Sequence, residues 1–288
     1  MVMPRRLQRL LAAVLAGLLA PAAAAGERVI AVGGAITEIV YRLDRADALV
    51  AVDSTSTHPS AATELPDVGY MRQLAAEPIL SLEPDRVIAV ADAGPPVVFD
   101  QLEQAGVDVT RVPDAPSPAG VVDKVERVAA ALGAEARGQR LAQELERRFR
   151  HLRERVAGVD GRPSALVLIA AGAGNLMVAG RDTAAMGMLE LAGADNAVTA
   201  WSGYRPLSPE AAIEAAPDWI VLTESALEAL GGRDELREHA GLGTTPAADA
   251  NRIIAMDGLL LLGLGPRTPA AASRLAERFH PRLRAAGD

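Results

Sequence analysis

One pattern occurs twice in this chain. GYMRQLAAEPILSLEPDRVIAV starts at Gly69, and GYRPLSPEAAIEAAPDWIVL starts at Gly203. Each copy runs Gly-Tyr, a basic residue, a helical segment with an early glutamate, Pro-Asp and then a β-branched apolar run. Glu77 stands seven positions before Pro84-Asp85, and Glu210 seven before Pro217-Asp218; the first copy has one more residue between tyrosine and glutamate. A repeat that contains a helix and a strand is an α/β unit written twice, so two similar α/β lobes are predicted.

The flanking sequence supplies the rest of each lobe. RVIAV at 28–32, ALVAV at 48–52, RVIAV at 86–90 and DVTRV at 108–112 read as buried strands, separated by the helical patterns AITEIVYRL, AAEPILSL and PVVFDQLEQAG. This βαβα order predicts a mostly parallel sheet with helices on both faces. After PDAPSPAG the strand signal stops. Leu141, Leu145, Phe149, Leu152 and Val156 then recur at three- and four-residue steps among Arg and Glu, one apolar stripe on a long helix with a charged outer face. Gly133 marks a kink or break in it. Alternation resumes with ALVLIAAG, AAMGMLELAG, PEAAIEAAP, DWIVLTE and RIIAM. The expected organisation is an N-terminal lobe over 26–116, an interlobe helix over 117–158 and a C-terminal lobe over 159–288. In an open α/β sheet, ligands sit beyond the carboxyl ends of the strands, so a cleft between the lobes would be bordered by both Gly-Tyr loops.

The first 25 residues have another character. Arg5, Arg6 and Arg9 precede the apolar run LLAAVLAGLLA, then Pro21 and AAAA. That is the pattern of a secretory signal cleaved after Ala25, which predicts an exported, soluble chain of about 263 residues. The run is about half the ~20 residues a spanning helix needs. There is no cysteine, hence no disulfide, thiolate metal site or lipid-anchor cysteine. A formal charge of −8 without basic tracts gives no nucleic-acid footprint, and 50% hydrophobic residues argue against disorder.

At VGYMRQLAAEPILSL the chain resembles the class III periplasmic substrate-binding proteins of ABC importers, which bind cobalamin, siderophores and haem, and within them the haem-specific branch. RVIAVGGAITEIVYRL, LMVAGRDTAAMGMLELAGADNAV and GLGPRTPAAASRLA carry the likeness over nearly the whole mature chain. The resemblance implies two lobes bridged by a rigid helix, haem held between them, and Tyr70 as axial ligand to ferric iron. Tyrosinate does serve as a haem ligand. A phenol with an ordinary pKa near ~10 must be held ionised, by the iron and by a guanidinium such as Arg72. Tyr204 and Arg205 fall in the matching loop of the second lobe, as stacking and propionate partners; Arg267 is a third cation for a carboxylate or a surface residue at a helix start. The family also implies that Glu77 and Glu210 dock on the dimeric permease of the inner membrane. The resemblance further implies that members holding two stacked haems use a histidine in the second-lobe loop; IAAGAGNLMVAG has none, which favours one haem. His58 is close enough in sequence to swing toward the cleft or remain a solvated loop residue, and His151, His239 and His280 look structural.

The expectation is a monomeric periplasmic haem carrier without catalysis. Its alternatives are a cobalamin or iron-siderophore carrier of the same fold, a nucleotide-dependent enzyme prompted by AVGGAITE, and a zinc or manganese carrier. For the second, Ile36 stands where G-x-G-x-x-G would place glycine. For the third, four scattered histidines are a poor ligand set.

Overall fold

The computed structural model describes residues 27–171, 175–206 and 208–285; the expected signal segment lies outside them. Val29–Val32 (β1) leads into Gly34–Arg42 (α1), then Leu49–Val52 (β2), Ala76–Leu80 (α2), Arg86–Val90 (β3), Pro96–Gln104 (α3) and Asp108–Val112 (β4). These four strands form a wholly parallel sheet in the order β2-β1-β3-β4. β1 is central and each of its residues is fully buried, as an uninterrupted apolar run requires when helices cover both faces. Ile36, Ile39, Val40 and Leu43 give α1 and its C-cap the apolar face that packs on this sheet.

The long helical stretch breaks at the glycine that marked a kink or break in it. Pro118–Ala131 (α4) is capped by Ser117, whose hydroxyl accepts from Gly120 N at 3.1 Å. Gly133, at φ 57°, turns the chain, and Glu135–Ala157 (α5) runs on for 23 residues, about 34 Å. The two pack against each other so closely that a Cβ on Gly138 would stand 2.3 Å from the Ala129 side chain. Only α5 spans the lobes. Near its start Arg137 donates to the carbonyls of Leu43 and Asp44 at 3.1 Å, and near its end Arg155 donates to Ser273, Glu277 and the Leu283 carbonyl. Leu141, Leu145, Phe149 and Leu152 are buried, as their spacing predicts.

The second lobe contains Ser164–Ala171 (β5), Asn175–Ala179 (β6), Ala184–Leu191 (α6), Asp195–Asn196 (β7), Tyr204–Pro206 (β8), Pro209–Ala215 (α7), Trp219–Thr223 (β9), Glu224–Ala229 (α8), Arg233–Glu238 (α9), Pro246–Asp249 (α10) and Ile253–Met256 (β10). Gly258–Leu262 (α11), Thr268–Phe279 (α12) and Arg282–Ala285 (α13) close the described chain. β7, β5, β9 and β10 pair in parallel in the same relative order as β2, β1, β3 and β4. The difference is an antiparallel addition, β6 on β5 and β8 on β6.

The repeated Pro-Asp has the same structural task in each lobe. An Asp85 oxygen accepts the Arg28 amide at 2.8 Å while Asp85 N returns a bond to Arg28 O; Asp218 does the same with Ser164, at 2.9 and 3.0 Å. Each aspartate thus satisfies the exposed amide at the start of its lobe's central strand.

The segment between β10 and α12 crosses back onto the first lobe. Lys124, on α4 and fully buried, reaches Asp114 at 2.5 Å and the carbonyls of Leu264 and Gly263 at 3.1 and 3.3 Å. Glu38, on α1 and 5% exposed, accepts from Arg267 at 2.5 and 2.9 Å. Removing one member of such a set strands the others away from water. Lys124→Met is therefore expected to lower unfolding free energy by roughly 3 kcal/mol, measured by urea denaturation. A change below ~0.5 kcal/mol would contradict the role given to this contact.

Candidate functional site

The space beside the two glycines at the β1–α1 turn is already occupied by the protein's own atoms. A Cβ on Gly33, at φ 104°, would meet Val90 at 2.8 Å, and one on Gly34 would meet the Thr55 carbonyl at 2.5 Å and Leu259 at 2.6 Å. The turn is further tied to the buried carboxylate of Asp53, which accepts from Gly33 N at 2.8 Å, Ser56 Oγ at 2.9 Å and Thr55 Oγ1 at 2.7 Å. The Gly-Gly signal is thus a packing device, and the nucleotide reading loses its motif.

Tyr70 and Arg72 are positioned by the chain that leaves β2. Val52 N to Pro66 O and Val68 N to Val52 O, each 3.0 Å, run that chain beside the end of β2; Gly69, at φ 97°, turns it. A bond from Gln73 N to Tyr70 O at 2.8 Å closes the turn that carries both side chains. The neighbours Val68, Met71 and Leu74 are buried, yet Tyr70 is 40% exposed. A phenol serving as core filling would face the other way. Arg72 donates to the Tyr70 oxygen at 3.0 Å, and its second branch donates to Asp92, in the loop after β3. Burial pulls the Arg72 pKa down, but the hydrogen bonds and charges of Asp92 and Tyr70 outweigh it, so it is raised. This guanidinium stays charged at any working pH.

Tyr204 lies on the edge strand β8 rather than in a loop, paired through its backbone with Ala179. Its phenol is partly buried. Burial pushes its pKa up, opposed by the Ala185 amide at the first turn of α6, the Arg72 charge and the Thr183 hydroxyl, while Asp114 pushes the same way as burial. Arg72 and Asp114 therefore stand near enough to the second-lobe phenol for their charges to act on it. Arg205 is exposed and stacks over Trp201, 5.4 Å from the ring centre. Arg267 is committed to Glu38 as described above. Glu77 and Glu210 are both exposed, each in the first turn of its helix, α2 and α7. His58 and His151 are exposed, and His280 is buried against the Gly193 carbonyl at 3.0 Å.

Asp92 was not singled out from sequence, although its place just past a strand's carboxyl end was a usable signal. Among the described residues no group of three or more His, Asp or Glu side chains converges as a metal site. A cavity of about 360 Å³ lies among α4, α5 and α6, lined by Pro116, Phe149, Leu152 and Gly187, and contains neither tyrosine.

Two α/β lobes of matching strand order, tied by a spanning helix, have the architecture of a two-lobed binding protein. The family model described as Periplasmic binding protein matches residues 29–259, and the chain belongs to that family, whose members are transport components. It is 29% identical, over 85% of its length and 77% of the relative's, to an uncharacterized ABC transporter substrate-binding lipoprotein, YvrC, of Bacillus subtilis (strain 168). A vitamin B12-binding protein of Yersinia pestis (strain Pestoides F) is 36% identical over 36% of this chain and 37% of its own. Among solved structures, the periplasmic heme-binding protein RhuT from Roseiflexus sp. RS-1, in apo form, is 40% identical with a TM-score of 0.86, over 90% of this chain and 99% of that one. BhuT, a periplasmic heme-binding protein solved with two hemes, is 39% identical with a TM-score of 0.83, again over 90% and 99%. No helix among the described residues is long and apolar enough to cross a membrane.

The two raised tyrosines predict a stability profile. Tyr41, like Tyr204, is raised above 10.0 by burial, with Glu64 adding to it. A neutral phenol favoured by the fold contributes stability that is fully present below the unfolded value and is lost as pH rises through the higher folded value. The denaturation midpoint is expected to fall above about pH 10, and Tyr204→Phe to flatten the fall; an unchanged slope in Tyr204→Phe would contradict the assignment.

Proposed function

We propose that this protein captures ferric haem between its lobes through the phenolate of Tyr70 and delivers it to an ABC permease of the inner membrane. The observation that carries this reading is the exposed Tyr70 oxygen with the Arg72 guanidinium 3.0 Å away. A hard anionic oxygen suits ferric iron. The guanidinium can stay on the oxygen that binds the iron, and its hydrogen bond limits how much charge that oxygen gives to the metal. Capture and release are both served by that balance.

Tyr204 is held neutral by burial, so its role is contact and hydrogen bonding, with Arg205 meeting a propionate from the exposed edge. One haem per monomer is the proposed load. Arg267 drops out of the propionate set because Glu38 occupies its fork. Glu77 and Glu210, exposed at equivalent places in the repeat, are the docking carboxylates for arginine pockets of a permease dimer. The setting is the periplasm, reached with the N-terminal segment as a cleaved signal. The similarity to heme-binding RhuT and BhuT along nearly their full length supports haem; the vitamin B12-binding relative, matched over little more than a third of its length, supports cobalamin as the second reading.

Tyr70→Phe is expected to keep the fold and weaken ferric haem binding by more than ~100-fold, beyond the loss typical of a mere supporting group, with disappearance of the phenolate-to-iron charge-transfer band. Retained affinity and an unaltered band would refute the ligand. Saturable binding of cobalamin in preference to hemin would instead favour the second reading. For docking, Glu77→Ala combined with Glu210→Ala should leave haem affinity unaltered and reduce delivery to permease in vesicles by at least about ten-fold. Undiminished delivery would remove the two glutamates from the interface.

A further inference from the structure

Asp92 stands outside the motif that carries Tyr70, yet the backbone fixes it more firmly than an ordinary surface carboxylate. It lies two residues beyond β3, in a loop bonded on every side. Ala91 N donates to Val112 O at 2.7 Å, and Ala93 N to Val90 O at 3.0 Å. Arg111 on β4 donates to the carbonyls of Ala91 and Ala93, with its guanidinium 3.9 Å from the Phe99 ring centre. Gly94 N to Met71 O at 2.8 Å and Leu74 N to Gly94 O at 2.9 Å then lace this loop to the one that bears Tyr70 and Arg72. The carboxylate and the phenol are thus referenced to one rigid strip of backbone.

Between them lies a long side chain with many rotamers. An exposed ion pair alone is worth little, and here the partners are 53% and 46% exposed. The geometry changes its meaning. A guanidinium is a planar fork, so anchoring one branch aims the other. Arg72 has one branch on Asp92 and the other on the Tyr70 oxygen.

We infer that Asp92 is the positioning residue that keeps the Arg72 guanidinium aimed at the Tyr70 oxygen, and thereby sets how strongly that oxygen donates to a bound ferric ion. The inference rests on the haem reading for its consequence, and on the two hydrogen bonds of Arg72 alone for its cause. Without Asp92 the Arg72 side chain regains rotamer freedom and leaves the phenolate a stronger donor.

The test uses the full-length protein in two states. In the ligand-free state, ¹⁵N NMR of the guanidinium groups reads rotation about the Cζ–Nε bond of Arg72. Asp92→Ala should speed that rotation about ten-fold, the effect of losing one charge-assisted hydrogen bond. In the state loaded with ferric haem, the phenolate-to-iron band of Asp92→Ala should move to lower energy, as in Arg72→Ala, and the double variant should match Arg72→Ala with no further shift. Unaltered rotation in the ligand-free variant overturns the inference. So does a band that moves to higher energy, which would mean that Asp92 screens the charge of Arg72 rather than aiming it, or shifts that add in the double variant. A Tyr70→Phe protein that keeps the band would show that the ligand assignment has failed, and the ligand-free rotation rates would still decide the role of Asp92.

Discussion

A buried lysine decides how the two halves of this molecule stand to one another. Lys124 has no access to water, so Asp114 and the carbonyls of Gly263 and Leu264 must supply its hydrogen bonds. Those carbonyls belong to the segment that returns from the second sheet, and Arg267, at the end of the same segment, binds Glu38 of the first lobe. With α5 anchored at both ends, the lobes are joined along the helix and along the crossing segment. A hinge that opened them widely would break buried ionic contacts, so these contacts resist large motions of one lobe against the other.

That fixed frame allows two chemically identical side chains to differ. Tyr70 is placed outward beside a permanent cation, whereas Tyr204 is drawn into the second lobe where burial keeps it protonated. In the proposed function the first phenol would hold the metal and the second would serve as a neutral contact. The supporting parts come from the ends of parallel strands, where chain turns are available: Asp53 after β2, Asp92 after β3.

Much of the frame was legible in the sequence because it depends on local periodicity. The RVIAV runs, the stripe from Leu141 to Leu152 and the matching Pro84-Asp85 and Pro217-Asp218 pairs all appear where their patterns place them, and each lobe has the order of strands that the repeat implies. The antiparallel pair β6 and β8 was missed. β8 is three residues long, mostly exposed, and is held by its pairing with β6 rather than by an apolar run. That oversight moved Tyr204 from loop to strand. The interlobe contacts were equally invisible, since Glu38 and Arg267 are 229 residues apart and Lys124 and Leu264 are 140 apart. No local signal announces which distant charge a buried group will meet. The break within 117–158 was marked by Gly133, whose positive φ turns α5 back on α4; what the local pattern does not give is how sharply the two helices fold on each other.

The central claim is a bond between the Tyr70 oxygen and ferric iron. Resonance Raman spectroscopy of the purified protein loaded with hemin, excited within the charge-transfer band, tests it most directly. The account predicts phenolate ring modes enhanced together with an iron–oxygen stretch that shifts when tyrosine is ring- or oxygen-labelled, at one haem per chain. A spectrum with histidine or water as the axial ligand and no label-sensitive phenolate mode would contradict it.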